Sequence, residues 1–151
     1  MNTNGMVYFY QGGLGGVSVP PHIFILDNVP HDWLFDHERV VAVVHHGGAG
    51  TTAVGLAKGR PTVVVPFFGD QGFWGTMIYK AGAGPEPIPA KELDVNNLRD
   101  AILFAISPGA KGAAKRMAEQ IASEVRCDSF SECVGMGFDW VGIGWYEEGC
   151  G

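Results

Sequence analysis

Two adjacent imidazoles, His45 and His46, lead directly into Gly47-Gly48-Ala49-Gly50 and then Thr51-Thr52. Imidazole nitrogens donate or accept hydrogen bonds near neutral pH. Glycines strip side chains from a turn, so a ligand can reach the backbone. A helix beginning near Thr51 would aim unpaired N–H groups and about half a positive charge into that space. Such a terminus suits phosphate, with the Thr51 and Thr52 hydroxyls as further donors. Taken alone, the same residues also suit a tight strand-to-helix turn with no ligand.

A second pair, Asp70-Gln71, follows a short apolar run. A carboxylate only accepts hydrogen bonds, whereas an amide donates and accepts, so the pair can read several sugar hydroxyls. Asp70 is equally suited to capping the helix after it. A third stretch, Asn28-Val29-Pro30-His31-Asp32-Trp33, offers an aromatic, an imidazole and backbone groups that could hold a flat base. Val29, His31 and Trp33 are the candidates there, and Trp33 is as well suited to an ordinary core. No G-x-x-x-x-G-K-[ST] or G-x-G-x-x-G pattern accompanies the turn. His31, His37, His45 and His46 lack a standard metal-ligand spacing, so no metal is expected.

The elements that must place these residues alternate. Strands are expected at 7–10, 22–26, 40–44 and 62–65. The β-branched run 40–44 reads as a strand buried on both faces. Helices are expected at 51–58, closed by Gly59 and Pro61, and at 71–81, ending at Gly82. Pro85, Pro87 and Pro89 mark an extended stretch. Asp94 can cap a helix with Leu98, Ala101, Ile102 and Ala105 on one face. A last helix is expected at 110–126, with Ala114, Met117, Ala118, Ile121, Ala122 and Val125 inward. The fold class is α/β, a parallel sheet with helices on both faces. Neighbouring parallel strands finish on one edge, which would bring Asp70 and Gln71 beside the glycine turn.

The chain divides into a flexible, glycine-rich segment 1–21, a folded domain 22–126 and an irregular tail 127–151. Of 151 residues, 46% are hydrophobic and 17% charged, enough for a core and too little charge for a disordered chain. The net charge is −6 with scattered cations, which argues against nucleic acid as a partner. Cys127, Cys133 and Cys150 are odd in number and form no C-x-x-C pair, which fits a reducing, cytoplasmic setting. No signal peptide or 18-residue apolar run is visible.

The motifs NVPHDWLF (28–35), HHGGAGTT (45–52) and PFFGDQGFWG (66–75) resemble the nucleotide-sugar-binding half of the family-one glycosyltransferases, and within it the sterol 3-beta-glucosyltransferases, especially fungal ones. The resemblance runs from about residue 20 to 126. It implies the Rossmann-like C-terminal lobe of a two-lobed GT-B enzyme that transfers glucose from UDP-glucose to a sterol or lipid hydroxyl with inversion, needing no metal or other cofactor. By that resemblance His45, His46 and the backbone of Gly47, Gly48, Ala49, Gly50 and Thr51 hold the diphosphate. Asp70 and Gln71 bind glucose hydroxyls, and residues 29–33 contact uracil. The family's general base lies in an N-terminal acceptor lobe, so no catalytic residue is expected here and the chain alone is expected to be inactive. A two-chain glycosyltransferase with a partner subunit, or a non-catalytic UDP-sugar-binding remnant, are the alternatives. Peripheral association with a membrane surface is open to any of these. Asp36-His37-Glu38 and Gly72 depart from the family pattern, implying extra negative charge beside the base and a looser sugar contact.

Overall fold

The structure is a computed structural model that describes residues 7–10, 21, 23–26 and 29–124. The expected linker at 11–20, the tail 127–151 with its three cysteines, and Val125 and Arg126 lie outside the described residues. The element order is β1 (Val7–Tyr10), β2 (Ile23–Leu26), α1 (His31–Asp36), β3 (Val43–His45), α2 (Ala49–Ala57), β4 (Thr62–Val64), α3 (Gln71–Lys80), a single 3-10 turn at Ala90–Glu92, α4 (Val95–Ala105) and α5 (Pro108–Glu124). The fold is α/β with parallel pairing throughout. β1 pairs with β2 from Val7–Ile23 to Tyr10–Leu26, and β3 pairs with β4 from Val43–Thr62 to His45–Val64.

β4 is the centre of the domain. Val63, fully buried, packs on Ala101 and Ala105 of α4. Val64, on the opposite face, packs with Leu56 of α2, Ile78 of α3 and Ala113 and Ala114 of α5. Helices therefore cover both faces of this strand, as its β-branched sequence requires. The next segment runs alongside it. Thr62 N–H donates to Ala83, Ile88 N–H to Val64 and Ala90 N–H to Pro66, at 3.0 Å in each case. Pro85, Pro87 and Pro89 have no N–H to give, so this segment stays extended without becoming a regular strand. Gly84 sits where a Cβ would collide with the Thr62 carbonyl, so no other residue lets the segment lie this close.

β3 differs from expectation. It spans Val43–His45 rather than 40–44, and it is not buried on both faces. Val40 and Val43 join Phe35 in a small cluster, while Val41 and Val44 are each 49% exposed. The pairing is set by the bonds from Val43 N–H to the Pro61 carbonyl and from Val65 N–H to the His45 carbonyl, both 2.9 Å, so the strand starts three residues later and ends one residue later than the valine run suggests. Asp94 caps α4 as expected. In α5, Ala110, Ala113 and Ala114 are buried and Met117 and Ile121 pack beside them, but Ala122 is exposed. No helix among the described residues is long and apolar enough to cross a membrane.

Candidate functional site

The C-terminal ends of β3 and β4 form one edge, and the turns leaving them touch. Gly47 has φ +90, and a Cβ there would lie 2.6 Å from Val64 Cγ1 and 2.8 Å from the Gln71 carbonyl oxygen. Glycine is needed twice, for the left-handed backbone and for the room. That contact joins the start of α2 to the start of α3. Of the expected pair, the Gln71 backbone meets the glycine turn, and Asp70 immediately precedes Gln71 in the chain.

α2 starts at Ala49, two residues earlier than expected, with Gly48 as its N-cap and no side-chain cap. Thr52 N–H donates to the Gly48 carbonyl at 2.9 Å, closing the first turn. The N–H groups of Ala49, Gly50 and Thr51 have no intrahelical acceptor. Space beside Gly50 is open, with no atom within 4 Å of an added Cβ. His46 is exposed, and its ring lies over Gly48, with Nε2 2.6 Å from where a Cβ would sit. Thr51 is half-buried at this edge. Thr52, expected to add a donor there, is instead 2% exposed, and its hydroxyl has no partner among the described residues. The earlier helix start rotates Thr52 into the interior.

His45 is the last residue of β3 and is held from its own turn. Gly47 N–H donates to His45 Nδ1 at 2.9 Å, so the neutral ring carries its proton on Nε2. Nε2 is buried and unpartnered among the described residues. Burial, and then the neighbouring charges of His46 and His31, lower its pKa to about 4, so the ring is neutral at physiological pH. The His45 and His46 rings meet edge-on with centroids 6.2 Å apart.

On the β4 side, Asp70 precedes α3 but does not cap it with its side chain. Its Oδ2 accepts from Trp74 Nε1 at 2.9 Å, one helical turn on. Gln71 is 6% exposed, and its Oε1 accepts from the backbone N–H groups of Phe67 (2.8 Å) and Phe68 (3.2 Å). These two phenylalanines are 68% and 77% exposed. Gly72 lies within α3 with open space around it, and the helix forms across it.

Residues 31–36 form a helix that the sequence reading did not assign. Pro30 starts a six-residue helix, α1, with His31 at its first position. The His31 ring packs on Phe35 with centroids 5.5 Å apart, and α1 packs against α2. Trp33 is 64% exposed, so it is not core. The far end of α1 is anchored by Arg60, whose Nε donates to the Phe35 carbonyl at 2.6 Å and whose terminal nitrogen donates to Asp36 (3.1 Å) and His37 (3.2 Å). Asp36 pairs with Lys58 at 2.9 Å, and that lysine lowers its pKa. Lys58 closes the C-terminal end of nine-residue α2, about 13 Å from its start. Asp36 therefore enters an ion pair, three residues after Trp33 on the same helix. The sequence signal for α1 was weak, and the Phe67-Phe68 pair, flanked by Pro66 and Gly69, was the overlooked mark of a surface-exposed loop at this edge.

Residues 11–133 match the family model described as Erythromycin biosynthesis protein CIII-like, C-terminal domain. A sterol 3-beta-glucosyltransferase of Arabidopsis thaliana is 50% identical over 122 residues, covering 80% of this chain and 20% of that enzyme. A sterol 3-beta-glucosyltransferase of Candida albicans is 43% identical over 109 residues, covering 72% of this chain and 7% of that enzyme. The likeness thus extends to plant enzymes as well as the fungal ones favoured by the motifs. Among solved structures, the glycosyltransferase VinC in complex with dTDP superposes with a TM-score of 0.63 at 27% identity, covering 78% of this chain and 29% of that one. The chain spans about a fifth of the length of the Arabidopsis relative.

Proposed function

The chain belongs to the erythromycin-biosynthesis-CIII-like family of glycosyltransferase C-terminal domains, and from that premise we propose that it is the donor-binding half of a sterol-glucosylating enzyme, with UDP-glucose as donor. The observation that supports this reading is the Gly47–Gln71 contact, which brings the uncapped start of α2 against the start of α3 at one sheet edge. In this reading the N–H groups of Ala49, Gly50 and Thr51 meet the diphosphate, with His46 swinging aside from Gly48. His45 would add its Nε2 proton as a neutral donor.

These groups face the negative charge that builds on the departing UDP, so the reading calls for no metal. Asp70 keeps one oxygen on Trp74 and turns the other to a glucose hydroxyl. The Gln71 amide nitrogen adds only a secondary sugar contact, because its Oε1 is already held by the N–H groups of Phe67 and Phe68. Val29, His31 and Trp33 would lie along the uracil, with Trp33 offering a free ring face. In this reading no described residue at this edge serves as base for the acceptor, and the chain alone would bind donor and transfer little glucose. A sterol or lipid acceptor would be met on a second lobe or a partner chain.

Calorimetric titration of the 151-residue chain with UDP-glucose tests the reading. Saturable binding that UDP competes away is expected. Absence of both heat and a thermal shift at millimolar UDP-glucose overturns it.

A further inference from the structure

Gln71 is placed to do more than meet a sugar. Its side chain is nearly sealed, and its Oε1 accepts two backbone N–H groups, those of Phe67 at 2.8 Å and Phe68 at 3.2 Å. Its own carbonyl is the surface on which Gly47 packs. One residue therefore grips the loop 66–70 with its side chain and supports the glycine turn with its backbone. The loop it grips bends back through Gly69, at φ +65, into Asp70, which Trp74 fixes by a hydrogen bond at 2.9 Å. Phe67 and Phe68 are exposed, so side-chain burial does little to hold them, and the two amide bonds fix the middle of the loop between Pro66, whose carbonyl accepts from Ala90 N–H, and Asp70, which Trp74 holds. A side chain with its acceptor fully committed to backbone donors cannot also use that oxygen to read a hydroxyl.

We propose that Gln71 is a positioning residue: through Oε1 it sets the loop 66–70 and hence the orientation of Asp70, the group that distinguishes UDP-glucose from UDP. This rests on the donor-binding reading above and refines which atom reads the sugar. A carboxylate at this position would keep both acceptor bonds and lose only the amide donor, whereas a thioether of similar size would lose the acceptors.

The test compares Gln71→Glu and Gln71→Met in the full chain by two measurements. Hydrogen exchange of the Phe67 and Phe68 amides reports the grip without any ligand. Protection is expected in the parent and in Gln71→Glu, and is expected to fall about tenfold or more in Gln71→Met. Calorimetry gives the ratio of UDP to UDP-glucose dissociation constants, which cancels a charge effect felt equally by both ligands. The ratio is expected to stay within about threefold of the parent in Gln71→Glu and to drop about tenfold in Gln71→Met. Unchanged protection in Gln71→Met overturns the grip. Equal loss of the ratio in both variants overturns the positioning role and assigns the sugar contact to the amide nitrogen. A parent chain that binds no UDP-glucose refutes the donor-binding reading and, with it, the sugar-reading half of this proposal, whereas the exchange result stands or falls by itself.

Discussion

Helices α2 and α4 begin in opposite ways. At α4, Asp94 accepts from the N–H groups of Asn96 (2.6 Å) and Asn97 (2.9 Å), while Asn97 Oδ1 accepts from Asp94 N–H at 2.9 Å. The helix closes its own start. At α2, Gly48 brings no side chain, and the first turn contains no acidic residue to occupy its dipole. The two helices cover the same strand, β4, so packing does not demand the difference. What separates them is position: α2 starts at the strand ends, against Gln71. Helices α1 and α3 also begin without a side-chain cap, so what suits the bare start of α2 to an anion is its place at the strand ends with open space beside Gly50.

The sharpest way to break this contrast is at Gly47. Gly47→Ala adds a Cβ against Val64 and the Gln71 carbonyl and forces a left-handed φ on a residue that resists it. Strain and overpacking together are expected to cost about 4 kcal/mol, read from urea unfolding. UDP-glucose binding is expected to disappear even at temperatures where the variant stays folded. A cost below about 1 kcal/mol would show that the two turns do not depend on this contact.

Next in size is the pH response of His45. Its pKa is held at about 4 in the folded chain against 6.5 in the unfolded one, by burial and by the charges of His46 and His31. Above pH 6.5 neither state is protonated. As pH falls from 6.5 toward 4 the unfolded chain takes up a proton that the folded chain refuses, so stability falls, and below 4 the loss levels off. The full loss is at most about 3 kcal/mol. Protonating Nδ1 would also remove the acceptor for Gly47 N–H. His45→Asn is expected to flatten the profile between pH 6.5 and 4. Bound UDP should flatten it too, because an adjacent diphosphate favours the charged ring. A profile unaffected by UDP would separate His45 from the anion site.

How much of this could be read beforehand follows from which forces are local. The run 62–65 was legible because β4 is covered on both faces and β-branched residues record that directly. The run 40–44 misled because its valines record burial in the Phe35 cluster, whereas the strand's register is fixed by backbone bonds to Pro61 and Val65. Helix α1 left no periodicity to find. It is six residues long and is held by Arg60, which lies 25 residues from Phe35. The meeting of the Gly47 turn with the start of α3 at Gln71 was legible from the parallel-strand rule. The inward turn of Gln71 was not, since an amide suits a sugar and a backbone loop equally well. Within the polar departure at 36–38, the Asp36 carboxylate pairs with Lys58, and Arg60 holds the backbone carbonyls of Asp36 and His37, contacts that span more than 20 residues and leave no local pattern.

The smallest effects bear most directly on the two helix starts. Asp94→Ala removes the capping box from α4 and is expected to cost about 1 kcal/mol while leaving UDP-glucose affinity unchanged. Gly48→Ser does the reverse to α2. A serine hydroxyl can accept from the first-turn N–H groups, a gain of a few tenths of a kcal/mol over glycine. The new Cβ must displace the His46 ring, whose Nε2 lies 2.6 Å away, but that ring is exposed and free to swing. Because the same N–H groups would meet the diphosphate, self-capping should weaken UDP-glucose about threefold by calorimetry. Stability and affinity would then move in opposite directions at α2, whereas at α4 stability moves alone. If Gly48→Ser raised both, the bare start of α2 would be a plain helix end, and the difference between the two helices would carry no functional meaning.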